Sequence, residues 1–135
     1  MKMLFLLLIV VLFLTACQSK PVSGEQVAVT GGSYKNVTPQ ELDTMLKDKD
    51  FVLINVHIPF AGNIAGTDQS IAYDEIEQNL TLLPADKDAK IVLYCRSGHM
   101  SQIAAEKLVA LGYSNIWNLK GGMVEWEAQG FDLEK

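Results

Sequence analysis

The stretch Ile91-Val92-Leu93-Tyr94-Cys95-Arg96-Ser97-Gly98-His99-Met100-Ser101 decides how this chain is read. Four apolar residues make a short strand, and their lack of alternation marks a strand covered on both faces, as in a parallel sheet flanked by helices. The run ends directly on a cysteine. A short loop containing glycine follows, and residues 101–111 have helical spacing, with Ala104, Leu108 and Leu111 on one face and Gly112 at the C-cap position. Strand, loop and helix in this order are one unit of an α/β fold, whose ligands bind beyond the carboxyl ends of the strands.

The same stretch carries chemistry. Amides of a tight loop that enters a helix point inward, and the helix N-terminus adds partial positive charge, so the loop forms a nest for an anion. That field favours the thiolate of Cys95, the nucleophilic form of the residue. The bland reading of Cys95 is a small buried hydrophobe. Arg96 is the only arginine of the chain, and the two histidines are His99 in this loop and His57 at another strand end.

Outward from this stretch the pattern repeats. Thr38, Pro39 and Glu41 form a capping-box start for a helix that runs to about Lys47, with Leu42, Met45 and Leu46 facing inward. Residues 51–56 are a second, nearly continuous apolar run and read as a buried strand, and residues 116–119 read as a short strand. Residues 122–129 read as a last helix carrying Met123 and Trp126, closed by Gly130. Residues 58–84 are less regular, with a short helix expected around 73–79. The fold class is therefore α/β: one domain over residues 34–135, with a mainly parallel central sheet flanked by helices. His57 and Cys95 then lie on the same edge of the sheet.

The chain has 135 residues, 49% hydrophobic and 20% charged, with a net charge of −5. The N-terminus supplies much of that hydrophobicity. Twelve unbroken apolar residues, 3–14, follow Lys2; the run is short for a membrane span of ~20 residues but has the length of a signal-peptide core. It ends in Leu14-Thr15-Ala16-Cys17, which resembles a bacterial lipobox, whose cysteine accepts diacylglycerol. On that reading residues 1–16 are a lipoprotein signal peptide, Cys17 is lipidated, and residues 17–33, with Pro21, Gly24, Gly31 and Gly32, are a flexible tether. The expected location is the bacterial cell envelope. Gln18 is not the aspartate that retains lipoproteins in the inner membrane, so the outer membrane facing the periplasm is expected where there are two membranes, and otherwise the outer face of the cytoplasmic membrane. An ordinary secretory peptide or an uncleaved anchor is the alternative.

Cleavage before Cys17 removes 16 residues and leaves 119, with 10 Lys and Arg against 16 Asp and Glu, a side-chain charge of −6. That length suits one core, and the acidic balance argues against a nucleic-acid partner. With Cys17 committed to lipid, Cys95 has no partner within the chain, which points to a reactive or intermolecular role. Two histidines and no suitable cysteine pair leave no set of metal ligands. No glycine-rich nucleotide fingerprint follows the first strand, so no cofactor is expected.

Three motifs carry a family resemblance. Residues 95–101 resemble the active-site loop of the rhodanese family, usually Cys-Arg-Ser-Gly, a variable residue, Arg and Ser. Residues 53–66 resemble the family's first motif, and Gly121-Gly122-Met123-Val124-Glu125-Trp126 resembles its C-terminal Gly-Gly-x-x-x-Trp pattern. The resemblance spans about residues 34–130. It implies a sulfurtransferase in which Cys95 takes a sulfane sulfur from a small anionic donor such as thiosulfate, polysulfide or a persulfide, and passes it to a thiol or to cyanide. It implies further that Arg96, Ser97, Gly98, His99, Met100 and Ser101 bind the substrate, with Asn55 and His57 in support.

The sequence departs from the pattern in three places. Met100 stands where the loop's second arginine is usual; Asn55-Val56-His57-Ile58 replaces Asp-Val-Arg-Glu; and residues 62–66 lack the usual histidine. Phosphatases and arsenate reductases of the same fold need a longer loop and an arginine six positions beyond the cysteine, where this chain has Ser101. A non-catalytic sulfur-carrier or partner-binding module in the envelope is the remaining alternative. No protein partner is legible.

Overall fold

The computed structural model describes residues 20–135. The signal segment 1–16, the lipidation site Cys17 and the start of the tether lie outside the described residues.

Six strands form one sheet in the order β1-β2-β6-β5-β3-β4: β1 Glu25–Val29, β2 Gly32–Val37, β3 Val52–Asn55, β4 Gln69–Ser70, β5 Ile91–Tyr94 and β6 Ile116–Leu119. Every pairing is parallel except that of β1 with β2. The helices are α1 Pro39–Leu46, α2 His99–Ala110 and α3 Gly122–Ala128. This is the expected α/β class, with a mainly parallel sheet between helices. β5 and β6 are buried along their whole length, β5 as a continuous apolar run requires and β6 with Asn118 among its buried residues.

Alternation along the strands divides the core in two. Ile91, Leu93 and Cys95 face α2 and pack with Ala104, Ala105 and Leu108. Val92 and Tyr94 face the other way, into a cluster with Leu42 of α1 and Met123 and Trp126 of α3. The N-terminus of α1 forms as its sequence dictates: Glu41 N–H donates to Thr38 Oγ1 at 3.2 Å, and Thr38 N–H to Glu41 Oε2 at 2.9 Å.

Two expectations are corrected. The tether does not extend to residue 33, and the domain does not begin at residue 34. β1 and β2 form an antiparallel hairpin in register from Glu25↔Asn36 to Val29↔Gly32, and Val22 already packs against the α1 side of the core. β1 is an edge strand that is mostly exposed, so its sequence has little apolar patterning to reveal it. The helix expected around 73–79 is instead a 3₁₀ segment, Glu77–Leu82, interrupted where Asn79 leaves helical geometry. β4 contributes only two polar residues to the sheet, too few for any periodicity to mark.

Candidate active site

The register of the central strands brings two loops together at the carboxyl edge of the sheet. Asn55 pairs with Tyr94, and Val56 N–H donates to the Tyr94 carbonyl at 2.8 Å. Cys95 and His57 therefore leave the sheet on neighbouring strands at the same edge, as expected.

Cys95 follows the Ile91 and Leu93 side of β5 and is 1% exposed. Gly98 N–H donates to Sγ at 3.0 Å. The thiol in turn donates to the Ser101 hydroxyl 3.4 Å away, and that hydroxyl donates to the Gly98 carbonyl at 3.2 Å. Gly98 reaches this geometry with φ of 101°, a left-handed conformation that costs other residues ~1–2 kcal/mol. The first backbone bond of α2 runs from Gln102 N–H to the Gly98 carbonyl, so the amides of His99, Met100 and Ser101 have no intrahelical acceptor and remain for an anion.

The other side of the loop is pinned by the start of α3. Met123 N–H donates to the Cys95 carbonyl and Val124 N–H to the Arg96 carbonyl, each at 2.9 Å. This holds both carbonyls against α3. Gly122 permits the approach: its φ is 59°, and a Cβ there would overlap the Cys95 carbonyl oxygen and stand 2.6 Å from that of Arg96. Sequence reasoning quoted the double glycine as a motif without a role; the role is to let one helix start press against the backbone of the cysteine loop.

The loop's side chains, all expected to bind substrate, face different surroundings. Arg96, Ser97 and His99 are exposed, but Arg96 lines a cleft of about 280 Å³ beside Ala61, Met123 and Glu127. Ser97, Gly98 and His99 line a different cleft, of about 360 Å³, facing Asn36, Asn118 and Lys120. Met100, expected to bind substrate, packs against the α2 side of the core instead, because its position in the first turn of α2 turns an apolar chain inward. Ser101, also expected to bind substrate, is fully buried and holds the sulfur and the loop together.

Asn55 and His57 stand in the neighbouring loop. Asn55 is 1% exposed and fully used: its Nδ2 donates to the Gly62 carbonyl and to Asn63 Oδ1, both at 2.9 Å, and its Oδ1 accepts from His57 N–H at 3.0 Å. The Tyr94 hydroxyl, which sequence reasoning did not single out, extends this network to Ile64 N–H, Thr67 Oγ1 and Asn63 Oδ1. Burial raises the Tyr94 pKa above its ordinary value. Partial burial, reinforced by the positive charge of Arg96, holds the His57 pKa below its ordinary value, so the imidazole is neutral at neutral pH. Among the described residues no cluster of His, Cys, Asp and Glu is arranged to hold a metal ion.

Residues 38–129 match the family model for the rhodanese-like domain. A sulfurtransferase of Allochromatium vinosum is 29% identical over 103 residues, covering 72% of this chain and 92% of that protein. The thiosulfate sulfurtransferase/rhodanese-like domain-containing protein 3 of Mus musculus is 30% identical over 116 residues, covering 75% and 73%. An adenylyltransferase and sulfurtransferase of Candida albicans is 35% identical over 102 residues, but this chain spans only 23% of its length. Among solved structures, a rhodanese-related protein of Thermoplasma volcanium superposes with a TM-score of 0.64 at 27% identity, covering 74% of this chain and 97% of that one. A rhodanese-like domain protein of Staphylococcus aureus superposes with a TM-score of 0.63 at 27% identity, covering 75% and 99%.

Proposed function

The chain belongs to the family of rhodanese-like domains, and from that premise we propose that it is a sulfurtransferase whose carrier is Cys95. The Cys95 thiolate attacks the terminal sulfur of a sulfane donor. A new S–S bond forms at Sγ, the donor's own S–S bond breaks, and the leaving group departs with that electron pair, as sulfite when the donor is thiosulfate. The persulfide then yields its outer sulfur to a thiol or to cyanide, and Cys95 returns to thiolate. The single observation that carries this reading is the Gly98 N–H aimed at Sγ from 3.0 Å, beside helix-start amides that favour negative charge at the outer sulfur.

The donor we propose is a polysulfide or a persulfide rather than thiosulfate. With Met100 at the position of the usual second arginine, Arg96 is the only arginine or lysine of the loop, and the compact thiosulfate dianion, costly to desolvate, needs such cations more than a polysulfide whose charge is spread along its chain. A second reading, a non-catalytic sulfur carrier or binding module, is favoured by the 1% exposure of Cys95. A phosphatase or arsenate reductase ranks below both, because Ser101 occupies the place of the phosphoryl-clamping arginine and is tied up inside the loop.

The full chain treated with polysulfide and with thiosulfate is expected to gain a one-sulfur adduct on Cys95 by mass spectrometry, faster with polysulfide, and to pass it to cyanide and thiols. Absence of an adduct with either donor, together with equal transfer by Cys95→Ser, would reject the proposal in favour of the binding module. We propose further that Cys17 carries lipid and anchors the domain in a bacterial envelope. Labelled fatty acid is expected in the wild-type chain and not in Cys17→Ala; equal labelling of both would reject the anchor.

A further inference from the structure

We infer that the cleft lined by Tyr34, Asn36, His99, Gln102, Asn118 and Lys120 is an acceptor subsite for an amino-acid or peptide thiol. The inference rests on the reading of Cys95 as sulfur carrier and adds to it where the acceptor binds and what chemistry recognises it.

The cleft, of about 360 Å³, lies between the carboxyl ends of β2 and β6 and the first turn of α2. Its wall towards Cys95 is the loop itself. Gly98 lines the cleft and also places its N–H 3.0 Å from Sγ, so the cleft opens beside the residue that touches the sulfur, and transfer from it requires the outer sulfur of the persulfide to project past Gly98.

The floor holds an unfinished hydrogen-bond group. Asn118 is 4% exposed, and its Nδ2 donates to Asn36 Oδ1 at 2.9 Å. Its Oδ1 is the one buried side-chain polar atom among the described residues that has no partner. A buried acceptor without a partner is costly and rare in native structures. Turning both amides over would leave Asn118 Nδ2 free instead, so in either orientation one polar end of the pair awaits a ligand. A peptide unit offers both an N–H and a carbonyl and satisfies either case.

The rim carries one lysine in an otherwise acidic chain. Lys120 has only a solvent-exposed ion pair, 3.3 Å from Glu25, a contact weak enough to exchange for a ligand, and the exposed His99 offers its ring nitrogens as hydrogen-bond partners. An amide-reading floor below a rim lysine fits a thiol that also carries a peptide or amino group and a carboxylate. In the transfer step the acceptor thiolate attacks the outer sulfur of the Cys95 persulfide. The new S–S bond forms on the acceptor, the bond to Sγ breaks, the electron pair stays on Sγ, and the proton lost from the acceptor thiol ends on the product persulfide or in solvent.

The test uses the full chain loaded with sulfur from polysulfide, with glutathione as the peptide thiol and 2-mercaptoethanol as an acceptor of similar reactivity lacking amide and carboxylate. Asn118→Leu is expected to lower kcat/KM for glutathione relative to 2-mercaptoethanol about tenfold, mostly through KM, which is one lost hydrogen bond to a buried partner. Lys120→Gln, at an exposed position that does not threaten folding, is expected to lower the same ratio about threefold. Binding is read separately, by calorimetry of S-methylglutathione on Cys95→Ser: adding Asn118→Leu or Lys120→Gln is expected to weaken it by the same factors. If no acceptor receives sulfur but these binding losses appear, the cleft stands and the sulfur-transfer reading falls. If S-methylglutathione does not bind, or if Lys120→Gln leaves both the ratio and the binding unchanged, the cleft is not the acceptor subsite.

Discussion

The loop after β5 is held mainly by backbone groups, with the Ser101 hydroxyl inside it, and the loop after β3 mainly by side chains, with one backbone bridge from Asn63 to Glu134. In residues 95–101 the fixed points are carbonyls of Cys95 and Arg96 bonded to amides of α3, a glycine N–H on Sγ, and a glycine at 122 that lets the elements touch. In residues 57–66 the fixed points are the Asn55 amide, the Asn63 amide and the Tyr94 hydroxyl. Backbone fastening leaves side chains free to vary, so Arg96, His99 and Met100 can change without moving the nest. Side-chain fastening has no such freedom. Asn55 meets a carbonyl and the Asn63 oxygen with two donors, so the two asparagines form a matched neutral pair.

The comparison breaks most visibly at Gly122. Gly122→Ala puts a side chain into a left-handed conformation, at about 1–3 kcal/mol, and against the two carbonyls of the cysteine loop. Sulfur loading of Cys95 is expected to slow about 100-fold, since misplacement of about 1 Å costs that much, with a matching loss in urea unfolding. An alanine variant as active as wild type would show that backbone contact with α3 does not hold the loop.

Asn55→Leu is the corresponding test of the side-chain loop. It leaves the Gly62 carbonyl and the His57 N–H without partners, for an expected loss of about 2 kcal/mol in unfolding free energy and a smaller effect on sulfur loading than Gly122→Ala. Asn55→Asp turns two donors into acceptors facing acceptors. Adding Asn63→His is expected to recover part of the cost, with a coupling of about 0.5 kcal/mol or more; strict additivity would show that the pair is not matched.

A smaller effect is expected from pH. The His57 pKa is depressed in the folded protein, so the unfolded chain binds a proton first as pH falls. The stability contributed by neutral His57 is fully present above the unfolded value near 6.5 and is lost as pH falls through the lower, folded value. Wild type should therefore lose more unfolding free energy than His57→Gln between about pH 7.5 and 5.5; parallel losses would exclude His57 as the group.

Least is expected from Arg96→Ala, a surface change worth within about 0.5 kcal/mol of stability. It should raise the His57 pKa in an NMR titration, because the Arg96 charge helps to depress it, and slow loading by anionic donors. A His57 titration unchanged by the substitution would separate the two side chains that the sheet edge brings together.

The elements that carry the site were legible because their signals are local. The buried runs 91–94 and 116–119 coincide with β5 and β6, and the Thr38 capping box starts α1 as read. α2 begins at His99, two residues before its apolar spacing does, because the first turn is set by backbone amides. The edge strand β1 was read as tether, since an exposed strand needs no apolar period. Within the site, Cys95 and its glycine were legible, but the inward packing of Met100, the burial of Ser101 and the pairing of Asn118 with Asn36 were not.

Cysteine, glycine and helix start lie within seven residues, so an anion nest follows from the order of residues 95–101 alone; apolar run length likewise suffices for a parallel sheet. Which clefts flank that nest depends on contacts between residues far apart in the chain. Gly122 meets the carbonyls of Cys95 and Arg96, and Asn36 meets Asn118 across 82 positions. Only folding brings such pairs within hydrogen-bond distance, and no local pattern of side chains encodes which partner each will find.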